Sequence, residues 1–289
     1  MRTAILPVLL SHRRVRNPLS AAQVVLFLCL CIGFVMIAYP MFWIIMSSLK
    51  TSREITTEIW SLPTTPLWRN YVIAWRSGIS QYFLNSMIVT ISTILGVIVV
   101  ASLAGYGLSR YRMLWTNLVL IPIMGGMMLN PQVCLIPLYR ILTNLGIRNT
   151  LLALIVPYIA FRLPMHTLII RSFFLAIPRE IEESALMDGC TGFQIYGHIF
   201  VPMSRPILVT SAILTSYYAW NEFMFALIFI DSNRYRTIPA GLMNFRDALQ
   251  VDYGPLLAGM VISALPIMIF FISVQKYFVR GLLAGSVKG

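Results

Sequence analysis

Long apolar runs without any charge dominate this chain. Four of them are residues 17–49, 77–109, 113–139 and 253–275. Each can hold the ~20 apolar residues that a helix needs to cross the hydrocarbon core of a bilayer. Two further apolar segments, 149–170 and 206–230, carry one charge each, Arg162 and Glu222. The pattern predicts an all-α membrane protein with six transmembrane helices.

The six predicted spans differ in continuity. We expect them at residues 22–47, 84–107, 114–138, 149–170, 206–230 and 255–278. Pro122 and Pro131 interrupt the third span, and Pro157 and Pro164 interrupt the fourth. Broken helices are tolerated in lipid only where protein or a watery cavity satisfies the freed backbone groups. Spans three to five are therefore expected to form the bundle interior, and residues 1–289 a single permease domain.

The composition indicates an integral membrane protein and argues against a nucleic-acid-binding protein. It is 58% hydrophobic and 11% charged, whereas a soluble domain has about 25% charged residues. The net charge of +12 comes from basic residues scattered between apolar runs, with no basic domain of the kind that binds nucleic acid. The cysteines show no metal or redox spacing: Cys29, Cys31, Cys134 and Cys190.

A basic cluster, Arg13, Arg14 and Arg16, precedes the first apolar run. That run exceeds the about 7–15-residue apolar core of a secretory signal, so it is expected to remain as an anchor. Basic residues favour cytoplasmic loops, and the cluster therefore predicts a cytoplasmic N-terminus. With six spans, the C-terminus and the segment 177–206 also lie in the cytoplasm, and residues 48–83 form an outer loop.

The segment 177–206 is amphipathic, unlike the apolar runs around it. Pro178 followed by several glutamates favours a helix start, and Gly189 favours a helix end in the left-handed conformation. A second apolar-periodic run begins at Phe193 and is expected to be cut off by Pro202. Two short helices lying flat between membrane spans would form a docking surface.

Within this segment, Glu183-Ser184-Ala185, Gly189, Ile199 and Pro202 have the spacing E-A-A-x3-G-x9-I-x-L-P. The pattern resembles the EAA coupling motif of binding-protein-dependent ABC importer permeases, with Ser184 and Val201 as small departures. The resemblance implies a type I ABC importer permease fold in which this segment, here named the coupling loop, docks in a cleft of the ATPase subunit. The implied coupling residues are Glu182, Glu183, Ser184, Ala185, Asp188, Gly189, Ile199 and Pro202.

Other residues resemble carbohydrate permeases of the MalG type. They are Asn85-Ser86, Trp220-Asn221-Glu222-Phe223 and the tail 275–289. The resemblance implies a second homologous permease subunit, two ATPase subunits, an extracytoplasmic solute-binding protein and a location in a bacterial-type inner membrane. The chain lacks a GxxxxGK[ST] phosphate cradle. We therefore expect ATP and Mg²⁺ to bind the ATPase subunits, and this chain to be a transport subunit without a cofactor, not an enzyme.

Candidate substrate contacts lie in the fifth span, because Glu222 at mid-helix costs about 2.5–3.5 kcal/mol and should face the bundle or water. One interpretation is a structural hydrogen bond to a neighbouring helix. The other is a sugar path lined by Tyr218, Trp220, Asn221, Glu222 and Phe223. In the resembled family the last outer loop touches the binding protein, which implies contacts by Gly241, Met243, Asn244 and Phe245.

Arg162 is the second intramembrane charge, and the helix is expected to break beside it at Leu163-Pro164. One interpretation is a salt bridge to Glu222 or to a partner subunit. The other is contact with an acidic saccharide such as a uronate oligosaccharide of the alginate kind. An ion-coupled secondary transporter is the rival class and would need intramembrane ion ligands, for which Glu222 alone qualifies. A membrane enzyme would need a catalytic cluster, which the sequence does not suggest.

Overall fold

The computed structural model describes residues 21–111, 116–245 and 252–286, and its regular elements are all helical. The helices are α1 (Ala21–Ser47), α2 (Ser52–Thr57), α3 (Arg69–Ala74), α4 (Ser80–Arg110), α5 (Thr116–Met128), α6 (Leu135–Asn144), α7 (Leu152–Ala176), α8 (Arg179–Met187), α9 (Gly192–Ile195), α10 (Val201–Met203), α11 (Arg205–Asn221), α12 (Met224–Phe229), α13 (Ile238–Gly241) and α14 (Tyr253–Ser286). The basic cluster before α1 and the last three residues of the tail lie outside the described residues. The predicted all-α class is confirmed.

In the described part of the chain, four helices are long and apolar enough to cross a membrane. They are Ala22–Ser47, Arg69–Arg110, Leu152–Ala176 and Tyr253–Ser273. A fifth span results if Gly192–Met203 and Arg205–Asn221, which are bent by 76° at their junction, cross together. The number six and the cytoplasmic termini stay predictions.

The second span begins earlier than predicted. A π-helical turn, Trp75–Ile79, joins α3 to α4, so residues 69–83 are helical rather than part of an outer loop. Gly78 in that turn has φ +117°, a backbone conformation that glycine adopts without the steric cost of a side chain. The glycine therefore kinks the helix between α3 and α4.

Two predicted spans are broken, but not at three of the predicted positions, because α5 continues through Pro122 and α7 through Pro157 and Pro164. The third span is divided into α5 and α6, and the fifth is divided into α11 and α12. By contrast, α7 continues through both Pro157 and Pro164, so the expected break beside Arg162 is wrong. A proline removes one helical hydrogen bond. Here the packing of α7 along α4 and α11 holds the helix together across that loss.

The chain divides between Ile44 and Ile45 into two compact units. In the described residues the first unit is α1 up to Ile44, whose side chains are almost all apolar and suited to lipid. The second unit holds all the other helices. Whether the whole chain acts as a single permease domain stays a prediction.

In the second unit, α4 packs along α7 and α11, and α11 also packs on α14. A Cβ at Gly96 would lie 2.3 Å from Cδ1 of Ile159, so α4 and α7 approach more closely there than a side chain allows. The bundle contains three clusters of buried hydrophobic residues, around Tyr158, around Phe200 and around Trp220. The Phe200 cluster joins the coupling loop to the ends of α4 and α7.

Candidate functional site

The first coupling-loop helix, α8, has the predicted ends. It starts directly after Pro178, with Glu180 and Glu182 in its first turn. At its end Gly189 has φ +80°, the Cys190 N–H donates to the Ala185 carbonyl at 3.0 Å, and the Gly189 N–H donates to the Leu186 carbonyl at 3.0 Å. This pair of bonds is the Schellman motif, which satisfies carbonyls at a helix C-terminus.

The second coupling-loop helix runs from α9 through a π-helical turn, Tyr196–Phe200, into α10. Thr191 and Gln194 form a reciprocal capping box at its start, which satisfies two backbone donors. The helix continues one residue beyond Pro202, to Met203, so the predicted stop at the proline is wrong. Pro202 removes one helical hydrogen bond, and the helix ends at the next residue, Met203.

The predicted coupling residues fall into two groups. Glu183, Ser184, Asp188 and Gly189 are exposed, whereas the others are wholly or partly buried: Glu182, Ala185, Ile199 and Pro202. Large apolar side chains accompany the exposed group: Leu186 is 54% exposed, Met187 89% and Phe193 81%. An apolar ridge rimmed by acidic side chains is typical of a protein-docking surface.

A cavity of about 500 Å³ lies between α7 and the junction of α11 with α12. Five predicted substrate-path residues line it: Arg162, Tyr218, Asn221, Glu222 and Phe223. The sequence interpretation missed His166 and Tyr217, which also line the cavity. His166 could have been found, because it lies four residues after Arg162 and therefore on the same helix face.

Arg162 projects into this cavity without a carboxylate partner. Its guanidinium carbon lies 3.5 Å from the centre of the Tyr218 ring, a cation–π contact. Its Nε is buried and makes no hydrogen bond. The ion pairs formed among the described residues are Arg110–Glu182 and Arg148–Asp231, so the predicted Arg162–Glu222 salt bridge is absent.

Glu222 lies at the junction between α11 and α12 instead of within a helix. Its carboxylate accepts hydrogen bonds from the Tyr158 hydroxyl at 2.6 Å and from the backbone N–H groups of Phe225 at 2.9 Å and Ala226 at 3.3 Å. The two backbone donors belong to the N-terminus of α12, where a negative charge is favoured. The predicted hydrogen bond to a neighbouring helix is therefore present, and Glu222 also lines the cavity.

His166 is fully buried beside Arg162. Its Nε2 lies 3.2 Å from the Thr215 hydroxyl, and its Nδ1 has no hydrogen-bond partner. A buried polar group left unpaired costs about 1–3 kcal/mol. Nδ1 of His166 and Nε of Arg162 are thus two buried polar atoms without a hydrogen-bond partner in residues that line the cavity.

The structure does not bring Trp220 to the cavity. Its side chain is buried, its Nε1 donates to the Ser263 carbonyl at 3.0 Å, and its ring packs edge-on against Phe83. Residues two apart on a helix point to different sides. Tyr218 therefore faces the cavity, whereas Trp220 faces α14.

The segment between α12 and α14 separates the four predicted binding-protein contacts. Gly241 is buried, and a Cβ there would lie 2.2 Å from the Tyr82 ring, so this position is required for packing. Asn244 is exposed and donates to the Tyr82 hydroxyl at 2.6 Å. Met243 is 41% exposed and Phe245 is half-buried. Met243 and Asn244 are the members of the set that a partner could reach.

Several long apolar helices, a cavity lined by Arg162 and Glu222, and a capped amphipathic loop fit a multi-pass membrane transport protein. Residues 97–283 match the family described as the binding-protein-dependent transport system inner membrane component, and the chain belongs to this family of ABC transporter permeases. The resemblance found in the coupling motif is thereby confirmed.

Curated relatives extend over most of the chain. It is 54% identical to the probable ABC transporter permease protein YurM of Bacillus subtilis, with 93% of this chain and 89% of that protein covered. It is 37% identical to the trehalose/maltose permease MalG of Thermococcus litoralis (72% and 75% covered). It is 34% identical to the sulfoquinovosyl glycerol permease SmoH of Agrobacterium fabrum (87% and 89% covered).

A solved structure supports the fold. A chain of a bacterial ABC transporter involved in import of the acidic polysaccharide alginate superposes with a TM-score of 0.79 at 20% identity. The match covers 91% of this chain and 100% of that chain. At this identity the likeness establishes the permease fold and carries no statement about substrate.

Proposed function

We propose that this chain is the transmembrane permease subunit of an ATP-driven importer of sugars or oligosaccharides in a bacterial-type cytoplasmic membrane. Its partners are a second homologous permease subunit, two ATPase subunits and an extracytoplasmic solute-binding protein. The family supports the transport role, and the two relatives named for carbohydrate substrates support the substrate class. ATP and Mg²⁺ are bound by the ATPase subunits.

The exposed ridge of the coupling loop carries this proposal. Met187 and Phe193 would enter the ATPase cleft, and Glu183 would meet a basic side chain there. In this arrangement the coupling loop and both chain termini are cytoplasmic. The motif spacing and the capped geometry of α8 support this role.

Co-purification and ATP-driven uptake in proteoliposomes test the proposal together. Met187→Asp should reduce recovery of the ATPase subunit, because it places a charge on an 89% exposed apolar contact. Thr65→Asp, on the exposed segment between α2 and α3, is the matched control. Uptake that proceeds without ATP would overturn the proposal.

We further propose that Arg162 selects an acidic substituent on the saccharide. Its guanidinium has no carboxylate partner in the described residues, and a planar fork suits bidentate contact with an anion. The name of one relative specifies a sulfonated sugar, and that of another specifies neutral disaccharides. The family therefore accommodates both kinds of substrate, and the charge in the cavity is the feature that favours an acidic one here.

Competition between an oligouronate and a neutral oligosaccharide in proteoliposomes tests this assignment. Arg162→Gln should reduce uptake of the oligouronate about tenfold or more, since a hydrogen bond to a charged group is worth about 1.5–3 kcal/mol. Arg140→Gln, an exposed arginine on α6, is the control. Exclusive transport of the neutral sugar by the wild-type complex would contradict the proposal.

A further inference from the structure

Arg110, the last residue of α4, is bound from several directions at the coupling-loop end of the bundle. Its side chain is 3% exposed, and its Nη1 lies 3.5 Å from the carboxylate of Glu182 on α8. Its Nη2 donates to the carbonyls of Phe174 at 2.6 Å and Ile177 at 2.7 Å. Its guanidinium carbon lies 4.6 Å from the centre of the Phe200 ring. One side chain thus contacts α7, α8 and the second coupling-loop helix.

Each of these contacts has a separate physical role. The two carbonyls belong to the C-terminus of α7, where unpaired carbonyls and the helix dipole favour a positive charge. The carboxylate is the only charged partner of the guanidinium among the described residues. The Phe200 ring lies in the buried cluster at the base of the coupling loop. Arg110 therefore connects α8, through an ion pair, with the end of α7, through two hydrogen bonds.

The connection matters because α7 also carries one wall of the cavity. Arg162 lies twelve residues before Phe174 on the same continuous helix, a distance of about 18 Å along its axis. A movement of α8 that is transmitted to the end of α7 therefore reaches Arg162 and His166 along a single helix.

We propose that Arg110 is a positioning residue for energy coupling, which transmits displacement of α8 to the cavity through the C-terminus of α7. The inference rests on the proposed docking of the coupling loop to an ATPase. It assigns Glu182 to an internal bond with Arg110, and leaves the exposed Glu183 as the carboxylate available to the ATPase. This gives different roles to two adjacent glutamates that the family resemblance assigns together to the coupling residues.

The test uses the whole reconstituted complex with spin labels at Met165 and Tyr217, which line the cavity from α7 and α11 respectively. ATP with vanadate is the probe, so no substrate need be known. In the wild type this probe should change the distance between the labels. Glu182→Gln and Arg110→Lys should each reduce the population of the changed state roughly fivefold, the low end of typical coupling effects. Both variants should still bind the ATPase subunit.

Arg140→Gln is the matched control, because Arg140 is an exposed arginine on α6, outside the coupling loop. An unchanged distance response in both Glu182→Gln and Arg110→Lys overturns the inference. If the Arg110→Lys complex no longer binds the ATPase subunit, the Glu182→Gln variant tests the inference alone. A reduced distance change in a Glu182→Gln complex that still binds the ATPase supports the positioning role. A full distance change in that complex excludes the role. A wild-type complex that never binds an ATPase would instead overturn the proposed function.

Discussion

The coupling-loop end and the cavity are each built around an arginine within the helix bundle, and the two arginines have different partners. Arg110 binds a carboxylate, two carbonyls and an aromatic ring. Arg162 contacts the Tyr218 ring and forms no ion pair in the described residues. A charge already satisfied inside the protein fixes structure, whereas a charge left without a counter-ion is available to a ligand.

The largest expected effect is on stability at the coupling-loop end. Arg110→Gln should lower the free energy of unfolding by about 3 kcal/mol, because removing one member of a buried pair leaves the other uncompensated. Arg162→Gln should change it by less than about 1 kcal/mol, since it loses a single cation–π contact. The unfolding midpoint of the purified complex measures both. Equal losses would show that Arg162 also has a structural partner, and would remove the contrast between the two sites.

The next effect tests whether Glu222 is a hidden counter-ion of Arg162. Glu222→Ala should lower the free energy of unfolding by about 2 kcal/mol, the upper range for loss of a helix N-terminal cap. Because the Tyr158 hydroxyl and two backbone N–H groups already satisfy Glu222, this cost and that of Arg162→Gln should add in the double variant. Additivity holds within about 0.5 kcal/mol for independent sites. A larger coupling would mean that the two charges interact.

Local sequence signals were sufficient to predict the ends of α8 in the coupling loop. They were not sufficient to predict the contacts that Arg110 makes at the base of this loop. Proline, glutamates and glycine fix the ends of α8 over adjacent residues, and the left-handed Gly189 follows from them. Arg110 stands more than sixty positions from Phe174 and Ile177 in the sequence. No pattern along the chain indicates which distant carbonyls it will meet.

The residues that line the cavity could be predicted only in part. Hydropathy identified Arg162 and Glu222 because charges are rare in apolar runs. It could not indicate that α11 ends at Asn221, since the apolar segment 206–230 continues on both sides of that break. Trp220 was grouped with the cavity by sequence adjacency, whereas helix geometry directs its side chain to the Ser263 carbonyl.

A smaller effect concerns the geometry that presents the coupling loop. Gly189→Ala should lower the free energy of unfolding by about 1 kcal/mol, because φ +80° is strained for a residue with a Cβ. The added methyl group would contact nothing within 4 Å, so no steric clash is expected. Transport should therefore fall partially, and Gly189→Asp more severely because it adds charge to the docking surface. Gly197→Ala, in the same loop without a positive φ or a close contact, is the control. A similar loss in both alanine variants would exclude backbone strain as the cause.

The smallest effect separates the aromatic support of Arg162 from the charge itself. Tyr218→Phe keeps the ring beneath the guanidinium and should leave oligouronate uptake nearly unchanged. Tyr218→Leu removes the ring, and with it a cation–π contact worth about 0.5–1 kcal/mol at a partly exposed site, so affinity should fall by only a few-fold. Initial uptake rates over a range of oligouronate concentrations measure this difference. If Tyr218→Leu abolished uptake as completely as Arg162→Gln, the ring would contact the sugar itself. The cavity would then select its substrate through both residues, and the free charge of Arg162 would no longer account for selection alone.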